Sequence, residues 1–236
     1  MRQIALILSY LVAFLLVSVP AHAEGTGTVK LVQNYAYKSL VGKKRRAIYA
    51  RDDVTSNMGL QTVKNGRIDV KFEDKTQLIL GSLSKVQMKN FVFGPKAREG
   101  QLSLNVDSGL MRFTPGNMAS ENYQVSTSSA VIGVRCDDIS KRSSQAGSCG
   151  TDFIVYVDGN GSTGVYVLNG VVELHPEHSH PSSISAGSTA VTDGKQTFIE
   201  ERIIFGEELM NVTFGSSSAG NNEGGDGGGG DGGGGC

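Results

Sequence analysis

Three histidines and a glutamate lie within six residues of one another, and this is the only cluster of metal-binding side chains in the sequence. His175, Glu177, His178 and His180 occur in the stretch His-Pro-Glu-His-Ser-His. Neutral imidazole and carboxylate are ligands of zinc, and imidazole also suits copper. The stretch follows a predicted strand and is interrupted by proline, so we expect a loop. In a loop, no neighbouring groups are expected to hydrogen-bond to the histidines and orient them as they do around a metal site. We keep His175, His178 and His180 as a metal-site hypothesis and predict no cofactor.

A glycine-rich stretch matches the dinucleotide pattern G-x-G-x-x-G but favours a structural interpretation. The match runs from Gly159 to Gly164. A dinucleotide site needs a helix to begin there, whereas the following Val165-Tyr-Val-Leu168 predicts a strand, so we expect a hairpin turn. The same residues fail as a calcium loop, because Thr163 and Asn169 occupy the sixth and twelfth positions.

The sequence offers little else for catalysis. It contains neither G-x-S-x-G nor H-E-x-x-H, and outside the cluster its only histidine is His22. A serine hydrolase would therefore have to take its base from the exposed cluster. We predict that the protein is not an enzyme.

The N-terminal segment has the three parts of a secretory signal peptide. Arg2 supplies a positive start, Ile4 to Val19 carry no charge, and Ala21-His-Ala23 is a cleavage site of the A-x-A type. The alternative is an uncleaved anchor, for which the apolar run is short. We expect cleavage after Ala23 and an exported chain, in the periplasm or at the cell surface.

Two of the three cysteines bracket a polar insert. In an exported chain Cys136 and Cys149 are expected to form a disulfide, worth roughly 3 kcal/mol in the chain-entropy model. The residues between them are polar, so the loop should project from the scaffold. It is either a stapled surface loop without a specific role or a recognition loop, and binding of a metal by the two cysteines is a third alternative. The candidate interaction residues are the charged side chains of this loop, two acidic and two basic: Asp137, Asp138, Lys141 and Arg142.

The third cysteine ends the chain. Cys236 follows a Gly/Asp-rich stretch from residue 215 that has almost no apolar side chains, so we predict that residues 215–236 are disordered. A thiol on such a tether could form an intermolecular disulfide or accept a covalent attachment. Cys236 is therefore a candidate attachment site, with an unused residue as the alternative.

The charge balance argues against nucleic acid as a partner. The chain has 22 basic and 23 acidic residues. Removal of residues 1–23 takes away only Arg2, so the net charge changes from −1 to −2. Binding to nucleic acid, and strong attraction to an anionic membrane, both need a basic surface. The one basic run, Lys43-Lys-Arg-Arg46, is expected to be a solvated loop before a strand.

Apolar residues alternate with polar ones in short segments that recur about every ten residues, which is typical of an all-β protein. Alternation indicates strands with one buried and one solvated face. The predicted strands cover residues 28–32, 61–63, 67–72, 77–80, 84–88, 101–106, 109–113, 123–125, 130–135, 153–157, 165–168 and 171–174.

One stretch near the C-terminus favours a helix. Thr197-Phe-Ile-Glu200 has the spacing of a capping box, and apolar side chains continue through Ile203 and Met210. We predict a closing helical segment over 198–214 that packs on the sheets, with a helix that docks a partner as the alternative.

Several segments, in order, resemble the FecR domain, an all-β periplasmic module of Gram-negative bacteria. Val70 to Leu78 is similar to the family's apolar-x-Phe-x-Asp-Gly-Ser-x-apolar pattern, with Phe72 and Asp74 in place and Lys75 where glycine is usual. The other segments are similar to the family's strand patterns: 27–32, 49–56, 102–112, 123–127, 169–174 and 186–187.

The insert between the cysteines interrupts the resemblance at one point. The family usually has Arg-Gly-Thr unbroken, whereas here Arg135 and Gly150-Thr151 stand on either side of Cys136 to Cys149. Membrane-spanning members of the family also carry a cytoplasmic arm that binds a sigma factor. Only Met1 to Gln3 precede the apolar run, so we expect a stand-alone, exported module without that arm.

These observations predict one all-β domain, either β-solenoid-like or a two-layer sandwich, over residues 24–197. The resemblance implies a non-catalytic interaction or sensing module with a protein partner in the bacterial envelope. One alternative is a structural component tethered through its tail and Cys236. Another is the periplasmic part of a signalling system that crosses the membrane.

Overall fold

The structure, a computed structural model, describes residues 26–94, 100–135 and 150–201. These residues form seventeen strands and a one-turn 3-10 helix at Ser120–Asn122. The strands are β1 (Gly27–Gln33), β2 (Ala36–Leu40), β3 (Arg46–Ala47), β4 (Asp53–Val54), β5 (Met58–Thr62), β6 (Arg67–Phe72), β7 (Gln77–Leu80), β8 (Lys85–Phe93), β9 (Gly100–Thr114), β10 (Tyr123–Ser126), β11 (Ala130–Arg135), β12 (Asp152–Val157), β13 (Thr163–Asn169), β14 (Val171–Pro176), β15 (Ser182–Ser185), β16 (Thr189–Thr192) and β17 (Thr197–Glu200).

Strand pairing produces two sheets, which we call the first and second sheets. The first sheet has the order β3-β2-β5-β8-β9-β10-β11-β14-β15. The second has the order β4-β1-β6-β7-β9-β12-β13-β16-β17. The chain thus alternates between the sheets as it advances along both. Among the described strands, the pair β9–β10 alone is parallel.

Strand β9 belongs to both sheets because it bends at Gly109. Leu102, Leu104 and Val106 face the main core from the first sheet, and Met111 and Phe113 from the second, so the core-facing positions change from even to odd at the bend. Gly109 has φ of +88°, and a Cβ there would lie 2.4 Å from the Cα of Ser84. Glycine is therefore required at this position.

The two sheets pack face to face around the main apolar core. Phe72 of the second sheet and Phe91 of the first have ring centroids 5.0 Å apart in an edge-to-face arrangement. Phe113 contacts Tyr123 of the first sheet at 6.0 Å and Phe153 at 5.6 Å. Both distances are typical of favourable aromatic pairs. The predicted all-β domain is confirmed, and of its two forms the two-layer arrangement describes the sheets.

A buried carboxylate organises the turn between β6 and β7. Asp74 is fully buried; its side chain accepts hydrogen bonds from the Thr76 backbone N–H at 3.0 Å, the Thr76 hydroxyl at 2.5 Å and the Tyr123 hydroxyl at 2.7 Å. The Tyr123 hydroxyl in turn accepts from the backbone N–H of Met118 at 3.0 Å. Burial, and then the charge of Asp74, raise the pKa of Tyr123. This network links both sheets and satisfies a polar group that would otherwise be costly to bury.

The predicted strands are found, and β6 and β7 have the predicted bounds. The glycine-rich stretch forms the β12–β13 hairpin, where the Asp158 Oδ1 accepts from the backbone N–H groups of Asn160 and Ser162 at 2.9 and 2.8 Å. The two segments predicted over 101–106 and 109–113 form the single strand β9.

The prediction of a closing helix is wrong for its first residues. Residues Thr197 to Glu200 form β17, which pairs with β16. The Thr197 hydroxyl donates to the Thr192 hydroxyl at 3.2 Å. The segment extends because the edge of β16 offers unpaired backbone groups, which outweigh the capping-box spacing. The rest of the predicted helix, from residue 202, lies outside the described residues.

Candidate functional site

The cysteine-bracketed segment 136–149 falls in the sequence between two described strands that belong to different sheets. It follows β11 of the first sheet and precedes β12 of the second. Cys136, Cys149 and the interaction residues between them lie outside the described residues, as does Cys236. Their disulfide, recognition and attachment roles remain predictions. The structure does describe the residues on either side of the segment, Arg135 and Gly150 to Asp152. Together with the side chains that contact them, Glu173, Ser183 and Asn169, we call these residues the loop base.

On the first sheet, the loop base carries a row of exposed polar side chains. The Arg135 Nη1 donates to the Glu173 Oε1 at 3.1 Å and to the Ser183 hydroxyl at 3.3 Å. These residues lie on adjacent strands β11, β14 and β15, and pairing aligns Gly133, Glu173 and Ser183. The Arg135 and Glu173 side chains are 56% and 41% exposed, so this ion pair adds little stability and leaves both charges accessible.

On the second sheet, the backbone of the loop base is fixed by a neighbouring turn. The Asn169 side chain donates to the carbonyl of Gly150 at 2.8 Å. Gly170 has φ of +76°, and a Cβ there would lie 2.7 Å from the hydroxyl oxygen of Thr151. Thr151 is buried, and its hydroxyl has no hydrogen-bond partner among the described residues. The close approach of Gly170 therefore fixes the position of Thr151, shortly before β12.

An ion pair that the sequence pattern does not reveal stabilises β12, the strand that follows the segment. Arg112 of β9 donates from Nε to the Asp152 Oδ1 at 3.0 Å and from Nη2 to the Oδ2 at 2.5 Å. Thr114 donates to the Asp152 Oδ1 at 3.2 Å. The Arg112 and Asp152 side chains are 22% and 16% exposed, so this two-point contact is partly shielded from solvent. No local sequence signal joins residues 40 positions apart; only the β9–β12 register brings them together.

The three candidate metal ligands are not brought together. His175 lies on the exposed face of β14, with Nε2 3.5 Å from the Glu173 Oε2. His178 is held through its backbone N–H, which donates to the carbonyl of Gly194 at 2.7 Å, and His180 is exposed in the same turn. Within the part of the chain that the structure describes, no group of three His, Cys, Asp or Glu side chains could hold a metal ion. The geometry gives the metal-site hypothesis no support.

The described ranges also contain no helix long and apolar enough to cross a membrane.

What the loop base offers is a charged, hydrogen-bonding surface on a rigid two-layer β scaffold. This arrangement is typical of a binding or regulatory module, whose contacts are made by loops held on a fixed framework.

Comparison with known proteins gives one family match. Residues 59–173, just under half of the chain, match the FecR family, described as FecR protein. The match ends at Glu173, so it includes both sides of the 136–149 segment and most of the loop base.

Solved structures give a weaker likeness. Two crystal structures of a candidate anti-sigma factor from Parabacteroides distasonis ATCC 8503 have TM-scores of 0.44 and 0.45 and 13% sequence identity. Each comparison covers 61% of this chain and 59% of the other, so the chain spans less than two thirds of those proteins. No curated protein matches the chain.

The hallmark turn of the family has a structural explanation here. Asp74 is the buried acceptor at the β6–β7 turn, and Thr76 occupies the usual serine position as one of its donors. Lys75, which replaces the usual glycine, has φ of +75°. The family's glycine therefore suits a left-handed backbone position, which this chain fills with a residue that has a Cβ.

Proposed function

We propose that this chain is an exported, non-catalytic FecR module that binds a protein partner in the bacterial envelope through the 136–149 end of its sandwich. The observation that carries the proposal is the loop base. Both ends of a polar segment, inserted within the family's own motif, are attached to a rigid scaffold. A segment held in this way can present side chains to a partner at a low cost in conformational entropy.

The charges at the loop base support a polar protein contact. Arg135 and Glu173 are exposed at its first-sheet side, while the Arg112–Asp152 pair stabilises β12 behind the opposite end. The predicted interaction residues Asp137, Asp138, Lys141 and Arg142 extend this mixed charge into the segment. Complementary charges of both signs favour specific orientation of a partner.

Export is supported by the sequence of residues 1–23. The positive start, the uncharged run and the Ala21-His-Ala23 site together match a secretory signal. The intact mass of the native protein tests this part of the proposal. A mass that begins at Glu24 is expected, and a mass that includes residues 1–23 would contradict cleavage.

Deletion of the segment tests the binding surface. Removing residues 136–149 joins Arg135 to Gly150 and restores the family's unbroken Arg-Gly-Thr. We expect a folded protein, with a circular dichroism spectrum typical of β-strands, that no longer binds its partner. The Cys136→Ser/Cys149→Ser variant is the matched control, because it lacks the disulfide but keeps the segment.

Photo-crosslinking in cells detects the contact even while the partner is unidentified. A photoreactive residue at Lys141 should yield one defined protein adduct, and the same residue at Lys64 or Lys89 should not. Glu173→Lys should lower the Lys141 adduct at least about fivefold, the effect of roughly 1 kcal/mol at an interface. Glu121→Lys changes the net charge equally and should have no effect. Equal adducts from Lys141 and Lys64 would argue against the proposal.

A further inference from the structure

A cavity of about 600 Å³ lies at the edge of the first sheet, beside β2 and β3. Its volume falls in the range of small-molecule sites. Four of its lining residues are basic, namely Lys38, Lys43, Lys44 and Arg46, and Leu40 and Met58 contribute apolar surface. Among the described residues, no acidic side chain lines it. The sequence alone predicts only a solvated basic loop here.

A tight turn and a strand pair together create this concentration of charge. The Lys43 N–H donates to the carbonyl of Leu40 at 2.9 Å, and Gly42 has φ of +72°, the value that the third position of a type II turn needs. Pairing of β2 with β3 then places Lys38 directly opposite Arg46. Two cations at directly opposite positions repel each other, so a nearby anion would stabilise this arrangement.

Only part of that compensation comes from the described protein. The Lys38 Nζ pairs with the Asp52 Oδ2 at 2.9 Å, and this hydrogen bond, followed by one from the Tyr49 N–H, lowers the pKa of Asp52. Among the described residues, Lys43, Lys44 and Arg46 have no carboxylate partner. Three positive charges therefore remain around the cavity of a chain whose net charge is −1.

The neighbouring arginine holds the turn in place. The Arg45 guanidinium lies 4.2 Å from the centre of the Tyr37 ring, and its Nη1 donates to the Gln61 Oε1 at 3.0 Å. Stacking and hydrogen bonding fix Arg45 against the sheet. The backbone on which Lys44 and Arg46 are carried is thereby anchored before any ligand binds, which reduces the entropy lost on binding.

We propose that this cavity binds a phosphorylated ligand, with the phosphate contacted by Lys43, Lys44 and Arg46 and an adjoining apolar part lying against Leu40 and Met58. A phosphate monoester carries about −1.5 to −2 charges and three acceptor oxygens, which matches three cations better than a single carboxylate does. Arginine contributes a two-pronged contact and lysine a compact charge.

The apolar wall indicates that the phosphate is attached to something larger. Met58 is 7% exposed and belongs to the core, whereas Leu40 is 46% exposed beside the cations. An apolar group next to the phosphate would cover Leu40 and gain by its removal from water. Two sources share this chemistry, a free phosphorylated metabolite and a phospholipid headgroup.

Binding is tested by nuclear magnetic resonance titration of the purified chain with inorganic phosphate and with glycerol phosphate. Saturable amide shifts confined to residues 38–46 and 58 are expected with at least one of these probes or with vesicles. Sedimentation with vesicles of phosphatidylcholine, alone or mixed equally with phosphatidylglycerol, tests the headgroup source. Binding to the soluble probes only would assign a free metabolite, and binding to the anionic vesicles would assign a headgroup.

Matched variants separate this site from general charge. The Lys43→Gln/Lys44→Gln/Arg46→Gln variant should weaken binding at least about tenfold, because it removes all three charge-assisted contacts. The Lys30→Gln/Lys64→Gln/Lys71→Gln variant changes the net charge equally at exposed positions and should stay within about twofold of the unmodified chain. Equal weakening by both variants, or no saturable binding to any of the probes, would overturn the proposal.

Discussion

Replacing Lys75 by glycine should stabilise the protein, although it removes a side chain. Lys75 ends the β6–β7 turn, where its N–H donates to the carbonyl of Phe72 at 2.9 Å and its φ is +75°. A type I turn followed by a left-handed residue is a common three-residue hairpin connection, and its last position favours glycine. The lysine side chain is exposed, so its removal leaves no cavity.

The magnitude follows from two opposing terms. A Cβ in the left-handed region costs about 1–2 kcal/mol, whereas glycine costs about 0.5–1 kcal/mol more chain entropy on folding. The free energy of unfolding should therefore rise by about 0.5–1 kcal/mol. For a domain of this size the Tm should rise by about 1–4 °C.

Chemical denaturation followed by circular dichroism measures this change, since the chain has no tryptophan to serve as a fluorescent probe. Lys75→Ala is the matched control, because it removes the charge and the long side chain but keeps the Cβ, and it should give no comparable gain. Lys71→Gly, in the preceding strand, should instead destabilise. A Lys75→Gly protein no more stable than Lys75→Ala would refute the argument from backbone conformation.

Four further predictions concern the core, the loop base and the cysteines. Tyr123→Phe should lower the free energy of unfolding by about 1–3 kcal/mol, because buried Asp74 loses a hydrogen-bond donor. Because its pKa is raised, Tyr123 stays protonated in the folded state, whereas the unfolded chain ionises near pH 10. Stability should therefore fall above about pH 10, and it should fall less steeply in the variant. Arg112→Met should cost about 1–2 kcal/mol, and a double-mutant cycle with Asp152→Asn should give a coupling of about 1 kcal/mol, whereas additive effects would exclude a direct interaction. Unreduced native protein should weigh two hydrogens less than the reduced form, and Cys136→Ser/Cys149→Ser should cost roughly 3 kcal/mol, with an unchanged mass on reduction ruling out the disulfide. If Cys236 attaches the tail, native protein blocked before extraction should carry an adduct or crosslink at that residue, and a simple blocked thiol would leave the tail without this role.

Strands with one buried face could be predicted from the sequence, and polar strands could not. Arg67–Phe72 alternates polar and apolar residues because its even positions face the core, and its bounds were predictable to the residue. Ser182–Ser185 contains one buried side chain, Ile184, and forms a strand because it pairs with β14. The same holds for Thr197–Glu200, where an available strand edge decided the conformation.

The candidate sites show the same difference between what the local sequence predicts and what depends on strand pairing. The inserted segment could be located from the sequence because the two cysteines that mark it lie at its ends. The Arg112–Asp152 pair depends on which positions of β9 and β12 are adjacent, and sequence spacing carries no information about that register. The basic run was visible, but its cavity depends on Lys38 and Met58 from two other strands.

The order of the strands makes the two proposed binding regions independent. In the first sheet β2 is separated from β11 by β5, β8, β9 and β10. At the usual spacing of paired strands this corresponds to roughly 24 Å, well beyond direct contact. Energetic effects of substitutions at sites that share no partners generally add. Loss of partner binding on deletion of 136–149 should therefore leave phosphate binding at Lys43, Lys44 and Arg46 unchanged. If one deletion abolished both, the bend at Gly109, where β9 passes from one sheet to the other, would be the physical connection to test next.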